Sequence, residues 1–161
     1  MHRTVTLTSK FHYADTDVPL DKSLEKVKVL LRKHGCDDIL VRERVREDGA
    51  TEITLMFKQG GVPYMIEFPV TYIEKLEMVN RFQKKVKRLK MEIAGRIVFH
   101  NVKALLVDVD LGMLDFTQAM MRHIALPGPS GMTTLEDKVM ESLDQVRQGR
   151  FDLKLLPGGT S

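Results

Sequence analysis

The sequence has no tryptophan, a single cysteine, only 6% aromatic residues and no long uncharged apolar run. The lone Cys36 excludes an internal disulfide and fits a reducing compartment. The five histidines (His2, His12, His34, His100, His123) are scattered, without a pair at metal-ligand spacing and without cysteine companions, so no metal or cofactor site is expected. No Gly-x-Ser-x-Gly, dinucleotide-type glycine pattern or nucleophile–base spacing occurs. The glycine- and proline-rich 127–131 stretch lacks the Lys-Ser/Thr that a phosphate loop needs. Glu67 runs into Phe68 and Pro69, which breaks the carboxylate–lysine pattern of a two-metal nuclease hairpin. These absences lead to an expectation of a protein that is not an enzyme. The lack of a leader-like run, or of the roughly 20 apolar residues a membrane helix needs, leads to an expectation of a soluble cytoplasmic protein with no membrane partner.

The chain that remains has 161 residues, 43% of them apolar, and a net charge of +3 with a pI near 9. It reads as one α+β domain in two parts. Residues 1–70 form a strand, a helix and three strands. Residues 71–150 form a helical part packed on them, and 151–161 a flexible tail. Alternation from His2 to Thr8 gives the first strand. Asp21 caps a helix to His34 with Leu24, Val27, Leu30 and Leu31 inward, and Gly35 ends it. Strands at 39–46, 51–58 and 64–68 make an antiparallel meander, turned at Asp48-Gly49 and Gly60-Gly61.

The most distinctive stretch begins at Thr71. Thr71 with Glu74 reads as a capping box, and Leu76, Val79, Phe82, Val86, Leu89, Ile93 and Ile97 recur at three- and four-residue steps. The pattern predicts a long central helix to about Asp108, broken or kinked near Gly95. Between Arg81 and Lys103 stand eight basic residues against one acid, Glu92, a local +7 that leaves −4 for the rest of the chain. Arg81, Lys84, Lys85, Lys87, Arg88 and Lys90 are the candidate phosphate contacts of a nucleic-acid-binding helix. Arg42, Arg44 and Arg46, which share one face of the 39–46 strand, are a second candidate set. The alternative for both sets is a solvated charged face. With few aromatics, backbone contact is favoured over base stacking.

Further on, 97–107 is apolar almost all round and reads as core, with His100 a core histidine holding a hydrogen-bond partner. A helix is expected over 113–124, a rigid loop over 127–131, and a last helix opened by Thr133 and Glu136 with Leu135, Val139, Leu143 and Val146 inward. Five methionines in this region suit an adaptable surface. A rival reading is therefore a protein–protein or homo-oligomer module using 97–107 and the methionine-rich helices.

The order of features has a precedent. It runs from a helix ending in His34-Gly35 to a hairpin strand Ile53-Thr54-Leu55-Met56-Phe57, then Gly61-x-Pro63-Tyr64 and Phe68-Pro69. After the basic segment come Val102-Lys103-Ala104-x-x-Val107, Gly112, Leu126-Pro127 and Thr133-Thr134-Leu135. Over residues 22–137 this resembles a family of small hypothetical proteins carried by bacteriophages and prophages. The resemblance implies a phage context in the cytoplasm of a bacterial host, and with it DNA more than RNA as partner. The helix–three strands–helix order is also similar to the double-stranded-RNA-binding domain. Phage single-strand annealing proteins likewise combine a meander with a long helix.

Overall fold

The computed structural model describes residues 2–149. In chain order the elements are β1 (Thr4–Thr8), α1 (Leu20–Lys33), β2 (Asp37–Val45), β3 (Thr51–Gln59), β4 (Val62–Phe68), β5 (Val70–Val79), β6 (Phe82–Leu89), α2 (Met91–Asp110), α3 (Phe116–Met120), β7 (Ala125–Gly128), β8 (Gly131–Thr134) and α4 (Leu135–Arg147). The fold is α+β. The tail expected over 151–161 lies outside the described residues.

The first half follows the sequence pattern closely. Leu24, Val27 and Leu31 fall on one face of α1 and are buried. Gly35, at φ +78, sits where the Cys36 amide reaches back to the Leu31 carbonyl at 3.0 Å, a left-handed cap that glycine adopts without steric cost. At the other end Pro19, not Asp21, holds the N-cap position, without a side-chain bond, and Asp21 lies in the first turn. There its charge meets the positive end of the helix dipole. Strands β2, β3 and β4 form the expected meander. Ile53, Leu55 and Phe57 stand opposite Phe68, Ile66 and Tyr64, so one face of this sheet is a continuous apolar layer. Helices α1 and α2 cover that layer with Leu24, Val27, Leu31, Ala94, Val98, Val102 and Leu106.

The long helix from Thr71 does not exist. Its first half is the β5–β6 hairpin, and only Met91–Asp110 is helical. Three physical reasons favour strand here. Val70-Thr71-Tyr72-Ile73 is a run of β-branched and aromatic residues, which suit a pleated surface. The edge of β1 offers parallel pairing from Thr4↔Val70 to Thr8↔Glu74, a long-range interaction that no local pattern reveals. Asn80 and Arg81, both at positive φ (49° and 68°), close a two-residue turn of the kind whose twist matches antiparallel strands. Thr71 is fully buried in β5, its hydroxyl donating to the Pro69 carbonyl at 2.9 Å, and caps nothing.

The boundary expected at residue 70 therefore falls inside a mixed sheet of order β1-β5-β6, and the part expected to be helical carries four strands. Gly95 is no kink. A Cβ there would lie 3.0 Å from Leu20 Cδ1 and from Ser23 Cβ, so the glycine lets α2 approach α1 closely. Ile73 and Ile93 bury together with Ala14 in a second small core beneath this sheet.

The C-terminal third differs in detail. Met113–Ile124 contracts to α3, opened by a full capping box between Asp115 and Gln118, with one 3-10 turn after it. The expected rigid loop is the tip of the β7–β8 hairpin. Thr134, one residue later than expected, caps α4 by accepting from the Asp137 amide at 3.1 Å. Val139, Leu143 and Val146 are not inward: each is between 42% and 49% exposed. His34 ties the two main helices at one end, with Nδ1 on the Leu30 carbonyl (2.8 Å) and Nε2 on Asp110 Oδ1 (2.9 Å).

Candidate nucleic-acid interface

Strand β1 accompanies β5 only as far as Glu74. Beyond it the rungs from Lys75↔Val86 to Val79↔Phe82 form a two-stranded ribbon, about 17 Å long at the usual strand rise, met at its base by Asp15, whose exposed carboxylate pairs with Lys75 at 3.3 Å. Side chains alternate across it. One face carries Tyr72, Glu74, Leu76 and Met78 opposite Leu89, Lys87, Lys85 and Gln83; the other carries Ile73, Lys75, Glu77 and Val79 opposite Arg88, Val86, Lys84 and Phe82.

Two properties mark this ribbon. From Glu74 to Arg88 it holds six Lys and Arg against two Glu, a net +4 that exceeds the +3 of the whole chain and leaves −1 elsewhere. It also leaves large apolar side chains in solvent: Leu76 is 65% exposed, Met78 67% and Phe82 77%.

The cations expected along a helix are thus distributed over both faces of a ribbon. Arg88 pairs with Glu77 across the strands at 2.8 Å, and Lys85 with Glu74 at 3.3 Å. Lys87 lies 4.5 Å from the centre of the Tyr72 ring, a cation–π contact. Such exposed pairs contribute little to stability, and their cations remain available to a polyanion. Among the described residues no ion pair holds Arg81 or Lys84. Lys90 stands apart, because its ammonium donates to the Ala14 carbonyl at 2.6 Å and fastens the loop after β1. Lys75 was not singled out in the sequence, and Phe82, read there as part of a helical apolar stripe, stands on the ribbon in solvent. Asparagine at the first turn position, just after the alternating Leu76-Glu77-Met78, was the available signal.

Arg81 occupies a position that a side chain resists. At φ +68° the Cβ crowds the backbone, at a cost on the order of 1 kcal/mol relative to glycine. The β3–β4 turn has nearly the same backbone, with φ +57° and +80°, and fills both positions with glycine, Gly60 and Gly61.

The second candidate set divides. Arg46 is held by Thr4 Oγ1 (3.0 Å) and Asp48 (3.3 Å), linking the end of β2 to β1. Arg42 and Arg44 line a shallow cavity of about 290 Å³ on the open face of the meander, with Glu52, Glu67, Thr54 and His2. His2 Nε2 lies 3.0 Å from the Ile53 carbonyl oxygen and 3.2 Å from Thr54 Oγ1, and Nδ1 lies 3.7 Å from Glu52. Two carboxylates beside two guanidiniums make this cavity mixed in charge, and a poorer cradle for a phosphate than the ribbon.

The remaining reactive side chains are placed by burial. Desolvation pushes the Cys36 thiol up to about 12, so the thiolate is absent at neutral pH. Burial, helped by the Arg122 charge, lowers His123 to about 4 against the opposing backbone hydrogen bond of Met65. His100 stacks on Tyr13 at 5.3 Å, and its buried Nε2 has no partner among the described residues, contrary to the satisfied core histidine expected. Burial and the Arg96 and Lys103 charges lower its pKa. No described helix is long and apolar enough to cross a membrane.

Comparison of the chain with family models, curated proteins and solved structures finds no match.

Proposed function

We propose that this is a non-enzymatic nucleic-acid-binding protein of phage type, which grips the phosphate backbone with the β5–β6 ribbon. The observation that carries the reading is the ribbon's local charge of +4 on an element that projects beyond its own sheet. Arg81, Lys84, Lys85, Lys87 and Arg88 are the contacts, with Lys75 added and Lys90 withdrawn into a structural role. Arg42 and Arg44 are secondary contacts at most. DNA is favoured over RNA on groove dimensions. The B-form major groove admits a two-stranded β-ribbon, whereas the A-form major groove is too deep and narrow for side chains to read.

The test is fluorescence anisotropy with labelled single- and double-stranded oligonucleotides at 50 and 200 mM salt. With four or five phosphates neutralised, affinity is expected to fall roughly 10²-fold between the two conditions. Joint substitution of Lys84, Lys85, Lys87 and Arg88 by alanine is expected to flatten that salt dependence. Unchanged binding by the quadruple variant sinks the proposed site.

Self-association is a second reading with its own observation. Val98, Val102 and Leu106 of the 97–107 segment are consumed by the core, but the α4 stripe of Val139, Met140, Leu143 and Val146 stays in solvent. A second copy pairing α4 with α4 covers it, and light scattering after size exclusion reports a dimer or a monomer.

A further inference from the structure

Backbone contact accounts for the ribbon's cations and leaves its tip unexplained. Phe82 is 77% exposed, the most exposed large apolar residue among the described residues and the only aromatic one in that class. It stands beside Val79 on the last rung, immediately after the turn. Arg81 next to it keeps a left-handed backbone that the neighbouring hairpin gives to glycine. Lys84, two positions along the same strand and on the same face as Phe82, carries no ion pair among the described residues. The tip thus presents one aromatic face between two uncommitted cations, at the far end of a ribbon whose cross-strand pairing requires neither the ring nor the arginine.

We infer that the tip of the β5–β6 ribbon is a base-contacting wedge, in which Phe82 stacks on an exposed nucleobase while Arg81 and Lys84 hold the phosphates on either side. Every base has an apolar π face, so such a contact adds affinity without reading sequence. The ligand class is DNA with a base face not covered by its neighbour. Two sources supply it: a single strand, or a duplex step that the wedge opens, as apolar side chains do in DNA-bending proteins. The inference rests on the ribbon being the nucleic-acid interface, and its test separates the two claims.

The chain has no tryptophan, so Phe82→Trp in the full-length protein installs a unique reporter whose emission a stacked base quenches. The probes are a thymidine oligomer, a duplex of matched length, and inorganic polyphosphate, which supplies the charge without bases. Quenching by the oligomer but not by polyphosphate is expected, although both compete for the ribbon in anisotropy. Quenching by the duplex as well assigns a step opened by the wedge; quenching by the oligomer alone assigns a single-strand ligand. Phe82→Ala is expected to weaken oligomer binding roughly tenfold while leaving polyphosphate binding unchanged. DNA bound with unquenched emission, and with Phe82→Ala binding as tightly as the parent, overturns the wedge and leaves the ribbon standing. No DNA bound at 50 mM salt overturns both.

Discussion

Two hairpins, adjacent in the chain and turned by nearly the same backbone, have been put to opposite uses. The β3–β4 hairpin closes on Gly60-Gly61 and places Ile53, Leu55, Phe57, Tyr64, Ile66 and Phe68 against the helices, each 3% exposed or less. The β5–β6 hairpin closes on Asn80-Arg81, runs out past β1, and leaves Leu76, Met78 and Phe82 in water among six cations. Where a hairpin serves the core, its turn takes the residue that is easiest to fold and its apolar side chains vanish from the surface. Where the turn tolerates strain and the apolar side chains stay wet, folding does not explain the residues, and a ligand is the economical account.

Truncation separates the two hairpins most sharply. Phe57→Ala, in the buried layer, is expected to cost about 4 kcal/mol of unfolding free energy by urea denaturation. Phe82→Ala, at the tip of the other hairpin, is expected to stay within about 0.5 kcal/mol of the parent. A comparable loss from both contradicts the comparison.

A pH titration reaches the packed block through His123. The folded state holds His123 at about 4, below its usual 6.5, so between those values the unfolded chain binds more protons. The stability from this group is complete above about pH 6.5 and is lost as pH falls towards 4, at most about 3 kcal/mol. His123→Gln is expected to flatten that slope in denaturation series between pH 4 and 7; an unchanged slope refutes the assignment.

Exchanging the turns tests the strain itself. Gly61→Arg is expected to destabilise by about 1–2 kcal/mol, since it imposes on the core hairpin what the ribbon tolerates. Arg81→Gly is expected to hold or raise stability, by up to about 1 kcal/mol, while weakening DNA binding several-fold. Loss of stability in Arg81→Gly removes the argument that the arginine serves something other than folding.

How much of this was legible varied with the range of the interactions involved. Helix α1 and the meander were readable because local signals agree there: an apolar stripe closed by Gly35, and alternation punctuated by Asp48-Gly49 and Gly60-Gly61. Residues 71–89 misled for a physical reason. Thr71 and Glu74 happen to have capping-box spacing, and Leu76, Val79, Phe82, Val86 and Leu89 fit a helical stripe, while the deciding partner, β1, lies 66 residues away in sequence (Thr4 to Val70). The candidate cations were singled out by local charge, so five of the six in the central stretch lie together on one ribbon although the element carrying them was misread. What the sequence did not reveal was the ribbon's two-faced arrangement and the exposed Phe82, both consequences of strand geometry. Gly95 was noticed for the wrong reason. Its role is the closeness of α2 to Leu20 and Ser23, which only packing discloses.

The most direct test removes the ribbon and keeps the fold. Lys75 and Val86 are paired with the same hydrogen-bonding parity as Val79 and Phe82, so replacing residues 76–85 by Asn-Gly carries the two-residue turn back to that rung. Anisotropy with a labelled oligonucleotide at 50 mM salt is then compared between this variant and the parent, with thermal unfolding as control. The account predicts a melting temperature within a few degrees of the parent and affinity lower by roughly 10²-fold or more. Undiminished binding by the shortened, folded protein contradicts it.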